Sequence, residues 1–232
     1  MRPVTYSLNI NNNSATKIAN AQTTAGAGNL VLNAAASAID SSGAARIVLI
    51  TTTADTHTIS FTITGKDADG NVITETHAFA SSATTVASTN AYASISQISV
   101  NGAVANNVSF GTTNTTLTAY GATLPIDFYT RSGFTAIVEV TGTIVYTVQE
   151  TFYTVLSSGT ANAIWFDGSL SMSTQNTSGG GTVGANLVSQ SSVNSRSQLD
   201  AGATGTRIKI LSYSNGATLT LRLISEPNTD KG

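Results

Sequence analysis

The chain reads Thr58-Ile-Ser-Phe-Thr-Ile-Thr64, then Gly65-Lys-Asp-Ala-Asp-Gly-Asn71, then Val72-Ile-Thr-Glu-Thr-His-Ala-Phe79. In the first part Ile59, Phe61 and Ile63 alternate with Thr and Ser, and this period of two places the apolar side chains on one face of a strand. Asp69-Gly70 lies at the centre of the polar segment, where a tight turn needs a residue that tolerates positive φ. The stretch therefore predicts a β-hairpin.

The composition extends this pattern to the whole chain. It is 41% hydrophobic and only 9% charged, whereas a disordered chain combines low hydrophobicity with high charge. Abundant Thr, Val and Ile favour the half-buried, pleated surface of a sheet. Strand patterns recur about every eight to twelve residues between Gly, Asn and Ser turns, which is typical of sandwiches and barrels rather than of βαβ units. We therefore expect an all-β protein of mainly antiparallel strands.

Further strands are predicted where apolar residues alternate or run together between turn signals: Val4–Ile10 and residues 30–32, 47–50, 84–87, 93–100, 104–110, 115–118, 207–213 and 217–224. Two of the intervening turns contain Asn-Gly, at Asn101-Gly102 and at Ser214-Asn215-Gly216, and this dipeptide is typical of hairpins. The small polar residues 11–28 predict a loop or an arm lying over a surface. Residues 34–39 predict a helical turn or two.

A change in the sequence pattern near residue 120 indicates a domain junction. Gly121 and Pro125 interrupt the strand pattern there, and 232 residues exceed the usual size of one domain. We expect two β-sandwich-like domains, residues 1–120 and 121–232, with extended polar loops or arms.

The second domain contains three distinctive segments. Residues 135–153 predict one long strand bent at Gly142 or two strands separated there. Trp165, the only Trp, has apolar neighbours on both sides and is expected to anchor the second core. Residues 171–197 are rich in Ser, Asn, Gln and Gly, and polar segments of that length tend to be functional or mobile.

Charge and hydropathy argue against several classes of protein. The formal net charge is −2 with basic residues scattered thinly, whereas nucleic-acid binding needs clustered Lys and Arg. No stretch approaches the roughly 20 apolar residues that span a bilayer, and the N-terminus has no apolar core of a secretory signal. The absence of Cys excludes disulfides and a thiolate site. We expect synthesis in a cytoplasm and neither a nucleic-acid nor a membrane partner.

The two histidines flank the predicted hairpin and are the first candidates for a metal site. A turn centred on Asp69-Gly70 pairs Thr62 with His77, which places His57 and His77 on opposite faces of the sheet. A register one residue away restores the face but leaves them about four residues apart, roughly 13 Å along a strand. Neither arrangement closes a zinc site and no Cys can complete one, so we expect no bound metal.

The turn segment Asp67-Ala-Asp69-Gly-Asn71 resembles the oxygen-rich start of a calcium loop. An EF-hand needs Gly at the sixth position and Glu at the twelfth. Counted from Asp67, those positions hold Val72 and Ala78. The pattern therefore favours turn-forming residues, with a looser calcium-binding turn as the alternative.

No motif points to catalysis. Asp55 and His57 accompany many serines, but the chain has no Gly-x-Ser-x-Gly elbow. The glycines of residues 179–184 lack the Lys-Ser/Thr ending of a phosphate loop. Folding could bring together three carboxylates for glycoside hydrolysis: Glu139, Glu150 and Asp167. We expect no enzyme, no catalytic residue and no cofactor.

Aromatic residues of the second half are the candidates for a sugar-stacking platform: Phe128, Tyr129, Tyr146, Phe152, Tyr153, Trp165 and Phe166. Such residues more often fill the core of a sandwich, and the apolar neighbours of Trp165 fit that interpretation better.

Several segments carry a resemblance to known proteins: Met1-Arg-Pro-Val-Thr5, Gly28-Asn-Leu-Val-Leu-Asn33, Ala45-Arg-Ile-Val-Leu-Ile-Thr51, Phe61-Thr-Ile-Thr-Gly-Lys-Asp-Ala-Asp-Gly-Asn71, Thr74-Glu-Thr76, Ile98-Ser-Val-Asn-Gly102, Asn107-Val-Ser-Phe-Gly111, Val140-Thr-Gly-Thr-Ile-Val-Tyr-Thr-Val-Gln149, Thr151-Phe152 and Trp165-Phe166. Together with the last two strands they resemble an uncharacterised family of bacteriophage virion structural proteins. The similarity covers most of the chain, and residues 171–197 depart from it. Its motifs are strand-and-turn motifs without catalytic residues.

The resemblance implies a non-enzymatic component of a virus particle, assembled in the host cytoplasm. Its expected role is a capsid decoration or cement protein, and the alternatives are a neck or tail adaptor and a tail-fibre-associated component. A glycan-binding host-recognition module is a further alternative. The implied partners are the major capsid protein or neck and tail proteins, and further copies in a homo-oligomer. Residues 11–28 could add a strand to the sheet of a neighbour.

Overall fold

The computed structural model describes residues 4–10, 14–54, 56–112, 119–126, 134–142, 144–152, 155, 160–161, 163–167, 173–174, 190–191, 195–198, 203–213 and 216–225. The chain divides into two compact units. One comprises Ile10–Tyr120 and is called the inserted unit; the other comprises Met1–Asn9 and Gly121–Gly232 and is called the split unit. The domain prediction placed residues 1–120 together, so the first nine residues differ from it.

The described elements are strands and one 3₁₀ helix at Ala34–Ser37. The strands are β1 (Val4–Ile10), β2 (Ser14–Thr24), β3 (Gly28–Asn29), β4 (Ala45–Thr52), β5 (Ser60–Lys66), β6 (Val72–Ala78), β7 (Thr85–Tyr92), β8 (Ser94–Val100), β9 (Val104–Thr112), β10 (Ala119–Tyr120), β11 (Leu124–Pro125), β12 (Phe134–Thr141), β13 (Ile144–Thr151), β14 (Phe166–Asp167), β15 (Ser173–Thr174), β16 (Gln190–Ser191), β17 (Ser195–Gln198), β18 (Gly205–Tyr213) and β19 (Ala217–Ser225). The prediction of an all-β, β-sandwich-like protein of mainly antiparallel strands is confirmed.

The inserted unit consists of two packed sheets. Strands β7, β4, β9 and β2 form one sheet in that order, because β4 pairs with β7 on one side and β9 on the other. Strands β3, β8, β5 and β6 form the second sheet. The buried side chains of both sheets meet in one core. At its centre the ring of Phe61 lies 6.0 Å from that of Phe79 and 5.7 Å from that of Phe110, in edge-to-face geometry.

The hairpin of the opening stretch is formed by β5 and β6. Phe61 is opposite His77 and Lys66 is opposite Val72, so the pairing of Thr62 with His77 is wrong and the register one residue away is the observed one. The turn explains this register. Residues 67–71 form a five-residue loop, which is closed by a hydrogen bond from the Asp67 N–H to the Asn71 carbonyl at 3.0 Å. Gly70 adopts a φ of 83°, which favours glycine there.

The split unit also consists of two sheets. Strands β1, β19, β12, β17 and β15 form one. In the other, β13 pairs with β18 on one side and with β14 and β16 on the other, and β11 pairs with β18. Strand β19 alternates as a half-buried strand should, with Leu219, Leu221 and Leu223 buried and Arg222 exposed. These leucines form the core with Tyr146 and Ile208, among others.

The two units repeat one eight-strand topology. The order β7-β4-β9-β2 corresponds to β17-β12-β19-β1, and β3-β8-β5-β6 corresponds to β11-β18-β13-β14. Corresponding strands follow the same chain order in both units. The first strand of the split unit precedes the whole inserted unit, and its remaining strands follow it. Strand β1 belongs to the split unit because it pairs with β19, which explains why the first nine residues depart from the predicted domain.

Two turns predicted as hairpins connect different sheets instead. Strands β8 and β9 lie in opposite sheets of the inserted unit, and β18 and β19 lie in opposite sheets of the split unit. The two hairpin predictions are therefore wrong. At the first corner the N–H of Asn101 donates to the Ser60 carbonyl at 3.2 Å, and its side chain accepts from the Ser60 N–H at 2.9 Å. Ser214 and Asn215 of the second turn lie outside the described residues.

Residues 11–28 and 135–153 both contain strands of the packed sheets. Residues 11–28 are not an arm in the described part, because Ser14–Thr24 is strand β2, which pairs with β9 and buries Ile18 in the core. Residues 135–153 contain two strands in opposite sheets, with Gly142 at a φ of 81° between them, so the second alternative is confirmed. The predicted strand at residues 115–118 lies outside the described residues.

Candidate functional site

Trp165 does not anchor the second core as predicted. Its neighbours Ile164 and Phe166 are 53% and 52% exposed, and Trp165 itself is partly exposed. Trp165 directly precedes β14, which pairs with β13 over only two residues and lies at an edge of the sheet. The core is filled instead by aliphatic residues and by Tyr146, which is fully buried.

The register brings five side chains to the outer face of one sheet of the split unit. Gln149 of β13 is opposite Asp167 of β14 on one side and Arg207 of β18 on the other. Directly opposite residues present their side chains on the same face. Thr147 is likewise opposite Lys209. Tyr146 and Val148, with the opposite parity, are buried in the core, so the Gln149 face is the outer one.

A chain of polar contacts connects these side chains. Arg207 Nε donates to Gln149 Oε1 at 2.8 Å, and Gln149 Nε2 donates to Asp167 Oδ1 at 2.7 Å. Lys209 Nζ lies 3.7 Å from Asp167 Oδ2. The guanidinium carbon of Arg207 lies 4.2 Å from the centroid of a Trp165 ring, in cation–π geometry. We call this group the Trp165 cluster: Trp165, Asp167, Gln149, Arg207 and Lys209.

The Trp165 cluster is anchored at its base and open at its rim. Gln149 is only 5% exposed, and both ends of its amide are hydrogen-bonded, so its orientation is fixed. The side chains of Lys209 and Asp167 are 23% and 38% exposed. Two cations face one carboxylate, whereas the whole chain carries −2. The arrangement combines an aromatic ring, oriented polar groups and a local positive charge.

Exposed apolar residues lie next to the C-terminal end of β13 and the N-terminal end of β14. The rings of Phe152 and Phe166 are 5.9 Å apart, and Phe152 is 47% exposed. Ile164, two residues before Phe166, is also exposed. We call Phe152, Ile164 and Phe166 the apolar strip. Of the other aromatic candidates, Tyr146 is buried in the core, and Phe128, Tyr129 and Tyr153 lie outside the described residues.

The two histidines are not brought together. His77 Nε2 lies 2.9 Å from Glu75 Oε2, and the backbone N–H groups of Thr89 and Asn90 donate to the same oxygen at 3.0 and 3.2 Å. Glu75 thereby connects the edge strand β6 to β7 of the other sheet. Within the described residues no group of three His, Asp or Glu side chains is arranged for a metal ion.

Glu75 also affects a buried tyrosine. Burial, followed by the charge and the hydrogen bond of Glu75, raises the pKa of Tyr92 above the ordinary value for tyrosine. Tyr92 is fully buried beside β5, and its hydroxyl donates to the Ile63 carbonyl at 3.4 Å. The phenol therefore stays protonated and serves as a donor within the sandwich.

Asp67 acts as a turn residue. Its Oδ1 accepts the N–H groups of Asp69 and Asn71, each at 2.9 Å, and its Oδ2 accepts the Asn71 amide at 2.9 Å. Both oxygens that a calcium ion would need are thus engaged by donors of the loop. The structure bears out the turn interpretation of this segment.

The three candidate carboxylates point in different directions. Glu139 accepts from exposed Arg222 at 3.1 Å on the outer face of the β12–β19 pair. Glu150 is buried on the inner face of β13, and Asp167 belongs to the Trp165 cluster on its outer face. They form no pair for glycoside hydrolysis. Asp55, proposed beside His57, lies outside the described residues.

One buried ion pair is structural. Arg46 and Asp40 are both buried, with Arg46 Nη1 3.8 Å from Asp40 Oδ2. The N–H and hydroxyl of Ser42 donate to Asp40 Oδ1 at 3.1 and 2.6 Å. Nearby Lys17 has its pKa lowered by burial and then by the charge of Arg46, with Asp40 opposing the shift. These contacts hold the turn before β4 against the sandwich.

Comparisons with protein-family models, with curated proteins and with solved structures each gave no match. Within the described residues, no helix is long and apolar enough to cross a membrane.

Proposed function

We propose that the protein is a non-enzymatic structural component of a bacteriophage particle, with capsid decoration as its role. The strand-and-turn segments that resemble phage virion proteins support this proposal. Three described carboxylates outside the Trp165 cluster also support it, because Asp40, Asp67 and Glu75 each accept hydrogen bonds from the backbone or side chains of their own unit. A decoration protein acts by binding other proteins through its surface, and polar side chains such as these three carboxylates stabilise its fold.

The apolar strip is the single observation that carries the proposal. Exposed apolar groups that lie together mark surfaces for protein contact, whereas isolated ones are ordinary. Phe152 and Phe166 are in ring contact, and both are about half exposed. The strip suits a contact with the major capsid protein, and aromatic residues are enriched in the buried centres of such interfaces.

Cosedimentation with particles tests the proposal. Tagged protein produced during infection should sediment with intact particles, and the double substitution Phe152→Ser and Phe166→Ser should release it. Val31→Ser is the matched control, because Val31 is an exposed apolar residue of the inserted unit. Protein that never sediments with particles contradicts the virion proposal. Protein that sediments with detached necks or tails favours the adaptor or tail-fibre alternative instead.

A glycan-binding role is the second candidate function, and the Trp165 cluster favours it. A partly exposed indole beside oriented amide, carboxylate and guanidinium groups is suited to stack and hydrogen-bond a sugar ring. Loss of glycan binding in a folded Trp165→Ala variant would support this role.

A further inference from the structure

We propose that the Trp165 cluster binds a carbohydrate that carries a carboxylate, such as a sialic or uronic acid. This inference rests on the second candidate function and names its ligand class. It assigns the aromatic ring of Trp165 to the sugar ring and the rim cation Lys209 to the carboxylate.

The stacking part of the site follows from the position of the indole. Trp165 is partly exposed on an outer sheet face, and Arg207 covers one face of its ring at 4.2 Å. The apolar C–H groups of a sugar ring can pack against the exposed part of the indole. Arg207 is itself fixed by its bond to Gln149, so the ring and the cation form a pre-ordered wall.

The polar floor of the site is already ordered without a ligand. Gln149 is buried and is bonded at both ends, to Arg207 and to Asp167. Ordering flexible side chains on binding costs free energy, and this floor avoids part of that cost. The side chain of Asp167 is 38% exposed, and its carboxylate is suited to accept hydrogen bonds from sugar hydroxyls.

The preference for an acidic sugar follows from the charges. Arg207 and Lys209 contribute two positive charges on this face, and Asp167 contributes one negative charge. The ammonium of Lys209 lies 3.7 Å from the carboxylate of Asp167, which is longer than a direct hydrogen bond. The ammonium of Lys209 has three hydrogen-bond donors, so it can donate to a ligand carboxylate while it stays near Asp167.

Titration of the complete protein with sugars tests the inference. Trp165 is the only Trp, so its fluorescence reports occupation of this site alone. We expect saturable changes with sialyllactose or oligogalacturonate and weaker binding of neutral lactose. Binding of the acidic sugars should weaken as salt is raised.

Two substitutions of opposite sign sharpen the test. Lys209→Gln should weaken binding of the acidic sugar about five-fold and leave neutral lactose unchanged, because one charge at contact distance is lost. Asp167→Asn keeps the shape and an acceptor for Gln149 but removes a negative charge, and it should strengthen acidic binding by a similar factor. Arg222→Gln, on the exposed Glu139 pair of the same unit, is the control and should change neither affinity.

The outcomes separate the inference from the role on which it rests. Equal binding of acidic and neutral sugars, unchanged by either charge substitution, overturns the acidic preference and keeps the glycan-binding role. Unchanged Trp165 fluorescence, with no heat of binding in calorimetry, overturns both. Because Asp167→Asn is expected to gain affinity, a general loss of folding cannot imitate the predicted result.

Discussion

Replacing Gly65 by Ala should strongly destabilise the inserted unit. Strand β5 shifts its register against β8 between Thr64 and Gly65. A Cβ at Gly65 would lie 2.2 Å from the Ser94 carbonyl oxygen and 2.8 Å from Tyr92 Cδ1. The first distance is more than an ångström shorter than an ordinary van der Waals contact. The carbonyl oxygen belongs to the backbone of β8, which is paired with β5 and cannot easily move. The strands must separate locally to accept the methyl group.

The cost is that of overpacking. Extra methyl groups in a packed core cost about 1–3 kcal/mol, and a backbone clash belongs at the upper end of that range. For a unit of roughly 110 residues, 3 kcal/mol corresponds to a fall in Tm of about 13 °C. Scanning calorimetry measures this directly. The matched control is Gly26→Ala, because a Cβ there has no atom within 4 Å. Equal Tm values for Gly65→Ala and Gly26→Ala would refute the close approach of β5 to β8.

Three further predictions concern the inserted unit. Phe61→Ala removes a fully buried ring with two edge-to-face partners and should lower the free energy of unfolding by about 3–5 kcal/mol, measured in urea; a loss below about 1 kcal/mol would contradict the core assignment. Because the pKa of Tyr92 is raised on folding, the unfolded state loses its proton first, near pH 10. The free energy of unfolding should therefore fall as pH rises above about 10, and less steeply in Tyr92→Phe; equal slopes would contradict the raised pKa. The fragment of residues 10–120 should fold alone, with a cooperative thermal transition and dispersed amide resonances, because the unit has its own two sheets and core; a fragment without either would contradict its independence.

The strands themselves could be predicted from sequence, because alternation depends only on which side chains are buried. Ile59, Phe61 and Ile63 show it clearly, and so do the leucines of β19. The connections could not be predicted in the same way. An Asn-Gly turn serves equally for a hairpin and for a crossing between packed sheets. The choice at Asn101-Gly102 is made by distant partners, since Val100 pairs with Phe61 and Val104 with Thr24.

Strand β2 shows a second limit. Its pairing with β9 shifts register at three points, so its buried residues follow no regular period. Ile18 and Ala19 are consecutive and both buried. Without regular alternation, the sequence of β2 resembles that of a loop or an arm. The repeated topology left only a faint sequence signal, the tripeptide Asn-Gly-Ala at residues 101–103 and again at 215–217.

The Trp165 cluster depended on long-range register. Gln149 and Arg207 are 58 residues apart in the chain, and Gln149 and Asp167 are 18 apart. Its apolar neighbours Ile164 and Phe166 made Trp165 resemble a core residue, although both are about half exposed at an edge of the sheet. One local signal was present in β18, where Arg207 and Lys209 alternate with buried Ile208 and Ile210. That alternation indicates a charged outer face opposite the core.

Immunoelectron microscopy of intact particles tests the central proposal most directly. An antibody against the protein should label purified phage particles in a regular pattern over the capsid shell, in many copies for each particle. Label confined to the neck or tail would keep a virion role and contradict capsid decoration. Particles without label, from lysates in which the protein is abundant, would contradict the proposal that it is a structural part of the virion.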